Sequence, residues 1–85
     1  MILSYHKDFK KNYLKLSKRI QEKFDQRILL FQEEEFNPIL NNHSLTGKYL
    51  GYRSINITGD LRALYQKKGD IVVFVSIDSH SNLYG

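Results

Sequence analysis

Between His43 and Tyr84 the chain sets imidazoles, guanidinia and phenols around alternating apolar runs. Those groups suit metal-free chemistry on RNA. Cleavage by an internal 2′-hydroxyl needs a base to deprotonate it, a cation to stabilise the phosphorane, and an acid to protonate the departing 5′-oxygen. His80 sits in Asp78-Ser79-His80-Ser81, a polar segment after a strand-like run, and an imidazole titrates close enough to neutrality to act as acid or base. Arg62 lies among Leu61, Ala63 and Leu64, so it must pair with a carboxylate or face solvent or a phosphate. Asp60 follows Gly59, where turn formation alone explains it. His43 follows Asn41-Asn42 in a loop, where an exposed histidine commonly has no role. Tyr84, next to last, suits base stacking or plain packing. Lys48-Tyr49 and Tyr52-Arg53 alternate cation and aromatic in the manner of nucleic-acid surfaces, which makes Lys48, Tyr49 and Arg53 candidate RNA contacts. No metal site is expected, since His43 and His80 lack ligand spacing and the chain has no cysteine.

The elements that must hold these groups follow from periodicity. Ile2 to Tyr5 is a short apolar opening that suits an edge strand. Phe9, Tyr13, Leu16 and Ile20 recur at helical spacing with lysines between them, and Ile20, Phe24, Ile28 and Phe31 continue the stripe until Asn37-Pro38 ends it. Only Ser17 and Asp25 offer a cap between two helices, so a single long bent helix stays open. Glu33, Glu34 and Glu35 read as a solvated last turn. Asn41 to Gly51 is a polar, glycine-punctuated loop or irregular strand lead-in. Three alternating segments follow, led by Arg53, Ile55 and Ile57, then by Leu61, Ala63 and Tyr65, then by Ile71, Val73, Val75 and Ile77, with Gly59-Asp60 and Gly69-Asp70 as turns between them. The last run is apolar on both sides near its start and should lie inside the sheet. The expected architecture is α+β: an N-terminal short strand, two helices, then a three-stranded antiparallel meander with the helices on one face. The opposite face is free, and Arg62 and the strand end leading to His80 can share a cleft there.

Composition limits the possibilities. Eighty-five residues, 41% of them hydrophobic, give one folded domain over residues 1–85 without room for a second domain or an enclosed cofactor cavity; no cofactor is expected. The absence of cysteine removes disulfides, no apolar stretch reaches the length of a signal peptide or membrane span, and a cytoplasmic protein is the simplest inference. A net charge of +4 favours a polyanionic partner. Eight cations fall between Lys7 and Arg27, either as a solvated helix face or as a phosphate-tracking surface.

The order Leu45-Thr46-Gly47, Gly51-Tyr52-Arg53, Gly59-Asp60-Leu61-Arg62-Ala63-Leu64-Tyr65 and Ser79-His80-Ser81-Asn82-Leu83-Tyr84-Gly85 resembles the RelE/ParE toxin superfamily, and within it the YafQ-type mRNA interferases. The likeness covers nearly the whole chain in length and element order. It implies a RelE-like fold and a type II toxin that cuts mRNA in the ribosomal A site. It also implies a cognate antitoxin as partner, in a complex that forms a higher oligomer. By position it implies catalytic roles for His80, Asp60, Arg62, His43 and Tyr84. The chain departs from the pattern with Ser54 and Asn56 where YafQ-like sequences carry an aspartate and a histidine, with Leu61 for an aromatic, and with Ser76 for a basic residue. Asn56 then joins Lys48, Tyr49 and Arg53 as a candidate RNA contact. Two other readings stay open: a ParE-like toxin that binds gyrase without cutting RNA, and a degenerate toxin that keeps only antitoxin binding.

Overall fold

The computed structural model describes residues 1–84, Tyr84 by its backbone alone. Strand β1 (Ile2–Tyr5) leads into α1 (Lys7–Leu14) and α2 (Lys18–Glu33), then β2 (His43–Ser44), β3 (Arg53–Asn56), β4 (Leu61–Lys68), β5 (Ile71–Ser79) and α3 (His80–Tyr84). The two helices are separate. Ser17 decides the break: its backbone is extended and its hydroxyl accepts from the Ile20 amide at 3.3 Å, so a new helix starts there. His6 caps α1 in the same way, its Nδ1 accepting from the Asp8 amide. Helix α2 stops at Glu33, short of the proline; Asn37 instead caps a 3-10 turn over Pro38–Leu40, its carbonyl oxygen accepting from the Ile39 amide at 3.0 Å.

The five strands run in the order β1-β5-β4-β3-β2, so the expected meander forms the middle of the sheet and β1 and β2 extend it. The sheet is mixed, not purely antiparallel, because β1 lies parallel to β5 while the other neighbours are antiparallel. As expected, β1 is an edge and β5 is interior. Strict alternation fails in β5. Leu64 pairs with Ser76 but Tyr65 pairs with Phe74, so Val75 is an extra residue in the ladder. Beyond that bulge Ile77 shares the helix-facing side with Val72 and Phe74, whereas Val75 packs on the opposite side.

Helices α1 and α2 cover one face. Phe74 lies at the centre of that core, wholly buried, its ring centre 5.5 to 6.1 Å from those of Tyr5, Phe9, Phe24, Phe31 and Tyr65. These ring pairs, stacked for Tyr5 and tilted or edge-on for the others, add to the burial of each side chain. The opposite face is not free. Leu45, Leu64 and Leu83 form a second cluster, with Tyr49, Tyr52 and Val75 against it, so the segment after β2 and helix α3 cover much of that side. Among the described residues no helix is long and apolar enough to cross a membrane.

Candidate active site

Both histidines of interest hang on backbone fixed by the sheet. His80 opens α3 directly after β5, and its amide donates to the Asp60 carbonyl at 2.8 Å, which ties the end of β5 to the β3–β4 turn. Ser79 caps the short helix through the Asn82 amide. The Asp78 carboxylate accepts from the Ser79 amide at 2.7 Å and from the Asn82 side chain at 3.0 Å. His43 belongs to β2, where it pairs with Ser54 of β3. Its Nδ1 lies 2.8 Å from the Asn41 carbonyl. A carbonyl oxygen can only accept, so Nδ1 carries the hydrogen, and in the neutral ring the lone pair is then on Nε2. Asn41 reaches that position through a left-handed backbone, φ 44°, at the end of the 3-10 turn.

The two histidines line one open cleft of about 300 Å³ with Ser44, Leu45 and Thr46. Two larger depressions lie elsewhere. One of about 390 Å³ is apolar, walled by Tyr5, Phe9, Tyr13, Leu14 and Phe24. The other, of about 550 Å³, runs between α2 and the Thr58–Gly59 turn and carries Arg19, Lys23 and Arg27 at one-turn spacing. Neither contains a histidine, so acid–base chemistry points to the smaller cleft.

The other sequence-predicted residues are distributed unevenly. Asp60 is exposed in the turn beside His80, a turn organised by Thr58, whose hydroxyl accepts from the amides of Asp60 and Leu61. Arg62 does not line the cleft with His80. Its guanidinium folds back on the turn and donates to the carbonyls of Thr58, Gly59 and Leu61 at 3.1 to 3.3 Å. Although Asp78 is its register partner, the two form no ion pair among the described residues. Lys48 is exposed with its ammonium 5.2 Å from the Tyr49 ring centre, and Tyr49 packs against the Leu45–Leu64–Leu83 cluster on the cleft side of the sheet. Arg53 sits on the helix-facing side, donating to the side-chain oxygen of Asn42 at 2.8 Å and lying over the Phe36 ring. Asn56 has its carbonyl oxygen buried without a partner, as does the hydroxyl of wholly buried Ser54. The side chain of Tyr84 lies outside the described residues.

Sequence reasoning missed a polar network on the opposite side. Glu35 is not in a solvated last turn: one oxygen accepts from Lys67 at 2.9 Å and the other from the Tyr65 hydroxyl at 3.0 Å. Asn42 donates to that hydroxyl at 2.7 Å and to the Glu35 carbonyl at 3.1 Å. Burial first, then the Glu35 carboxylate, push the Tyr65 phenol up to about 12, against the opposing pull of Asn42 and Arg53. The only signal in the sequence was a tyrosine in a buried strand, which needs a partner for its hydroxyl.

Solved structures share this arrangement of elements. YafQ from E. coli strain BL21(DE3) superposes with a TM-score of 0.82 at 20% identity, covering 98% of this chain and 97% of that one. A copper-bound mutant toxin from Helicobacter pylori gives 0.78 at 27% identity, with 99% of both chains covered. YafQ in the E. coli DinJ–YafQ toxin–antitoxin complex gives 0.79 at 21% identity, with 98% and 96% covered. Curated protein sequences give no match. The family model for the bacterial toxin of the type II toxin-antitoxin system, YafQ, matches residues 1–85, and the chain therefore belongs to the YafQ family of type II toxins.

Proposed function

We propose that this toxin is an endoribonuclease that cuts mRNA in the ribosomal A site by 2′-hydroxyl attack, with His43 as general base and His80 as general acid. The shared cleft of His43 and His80 carries this reading. With Nδ1 committed to the Asn41 carbonyl, the His43 Nε2 lone pair takes the 2′-hydroxyl proton. The 2′-oxygen attacks phosphorus, the bond to the 5′-oxygen breaks, and protonated His80 delivers the proton that oxygen needs, leaving a 2′,3′-cyclic phosphate. Asp60, exposed in the turn to which the His80 amide is anchored, assists His80 from that turn. Arg62 acts by holding the turn that anchors His80, and Lys48 and Tyr49 contact the RNA strand. Arg19, Lys23 and Arg27 supply a groove for phosphates beyond the cleft. One chain forms the domain, and a cognate antitoxin neutralises it, as the complex of the E. coli relative with DinJ suggests.

The test is turnover. Purified toxin with programmed ribosomes should cut A-site mRNA, and His80→Ala should lower the rate roughly 10²-fold or more. Undiminished cleavage by that variant removes His80 from the mechanism.

The burial of Ser54 and the orphaned oxygens of Ser54 and Asn56 favour a second reading. In it the toxin has lost part of its catalytic set and retains antitoxin binding. Tight binding of the neighbouring gene's product, with no mRNA cleavage, would select it.

A further inference from the structure

The connection from α2 to His43 runs over residues 34–42 and ends in a strand of two residues at the sheet edge. Two pairings, His43 with Ser54 and Ser44 with Arg53, and the bond from the Leu45 amide to the Tyr52 carbonyl hold this short strand from one side only. Asn42 anchors the chain just before it. Its amide nitrogen spends both hydrogens, on the Tyr65 hydroxyl and the Glu35 carbonyl, and its oxygen accepts from Arg53. Tyr65 is wholly buried, and Glu35 is held in turn by Lys67. Successive side chains along a strand point to opposite faces. Locking Asn42 toward the helix side therefore turns His43 toward the cleft side, where its Nδ1 meets the Asn41 carbonyl.

We propose that Asn42, gripped by Tyr65, Glu35 and Arg53, is a positioning residue that sets the direction and tautomer of His43. This rests on the reading of His43 as the base, but the tautomer is measurable whether or not the protein cleaves RNA. Asn42→Ala removes the grip, and Tyr65→Phe removes one oxygen from it. In the intact toxin, nitrogen-15 NMR of the imidazoles should show His43 hydrogenated mainly at Nδ1. Both variants should move it toward the Nε2–H form that free imidazole side chains prefer. Cleavage by programmed ribosomes should fall about tenfold in kcat with KM little changed, because orientation and not binding is lost.

A thermal melt and the amide spectrum identify the folded variants. Should Asn42→Ala fail to fold, Tyr65→Phe carries the test alone, since it preserves the ring and its packing. An unchanged His43 tautomer in a folded variant overturns the proposal. A shifted tautomer in a protein whose His43→Ala variant cleaves normally would sink the catalytic reading while leaving the positioning role established.

Discussion

Raising the pH from 10 toward 12 should loosen the segment that carries His43, because the Tyr65 phenol ionises at about 12 in the folded protein against 10.0 when free. The folded state holds this proton more tightly than the unfolded state, so the stability it supplies is complete below pH 10. That stability is lost as the pH rises through the folded value. With those two values the loss is under 1 kcal/mol at pH 10, about 1 kcal/mol at pH 11 and about 2 kcal/mol at pH 12, levelling near 3 kcal/mol. The cause is structural: the phenolate would sit wholly buried beside the Glu35 carboxylate, and the hydrogen donated to Glu35 would be gone. The measurement is a difference, so that contributions common to both proteins cancel. Urea unfolding of the native toxin and of Tyr65→Phe, followed by circular dichroism at intervals from pH 9 to 12, cancels the common groups. The native protein should lose stability relative to the variant along the curve above, and tyrosinate absorbance should show one phenol fewer ionising near 12 in the variant. Parallel stability curves across that range would show that the Tyr65 hydroxyl does not carry the network.

Two further outcomes follow from the cleft side of the sheet. Ser54→Ala removes a wholly buried hydroxyl that has no hydrogen-bond partner, so it should raise stability by about 1 kcal/mol in urea titrations; a clear loss would mean the hydroxyl is satisfied in solution. Arg62→Ala frees three turn carbonyls of a donor, so it should cost about 1 kcal/mol and slow cleavage about tenfold through His80, whose amide is anchored on that turn. Full activity in that variant would mean His80 holds its place without the turn.

Several elements were legible in the chain itself. Apolar spacing marked the helical stretch and the meander, since a stripe at helical period and an alternation at period two each bury one side only in their own secondary structure. Gly59-Asp60 and Gly69-Asp70 marked the turns, and the Leu-Thr-Gly, Gly-Asp-Leu-Arg and Ser-His motifs carried the likeness to the family to which the chain belongs. The break at Ser17 was visible only as a candidate, because a serine caps a helix only where its own backbone is extended.

What tertiary structure decided were relations between distant segments. The Val75 bulge moved Ile77 to the other side of the strand, and no local pattern announces an extra residue in a ladder whose partner is elsewhere. Arg53 and Glu35 left their expected solvent positions because Asn42, Tyr65 and Lys67, between 7 and 32 residues away in sequence, offered them hydrogen bonds. Arg62 turned to the carbonyls of its own hairpin, and His43 and His80, from opposite ends of the strand set, came to line one cleft. Residue type and spacing determine what a side chain is able to do; which partner it meets depends on strand register and packing, and those are settled only when the whole sheet closes.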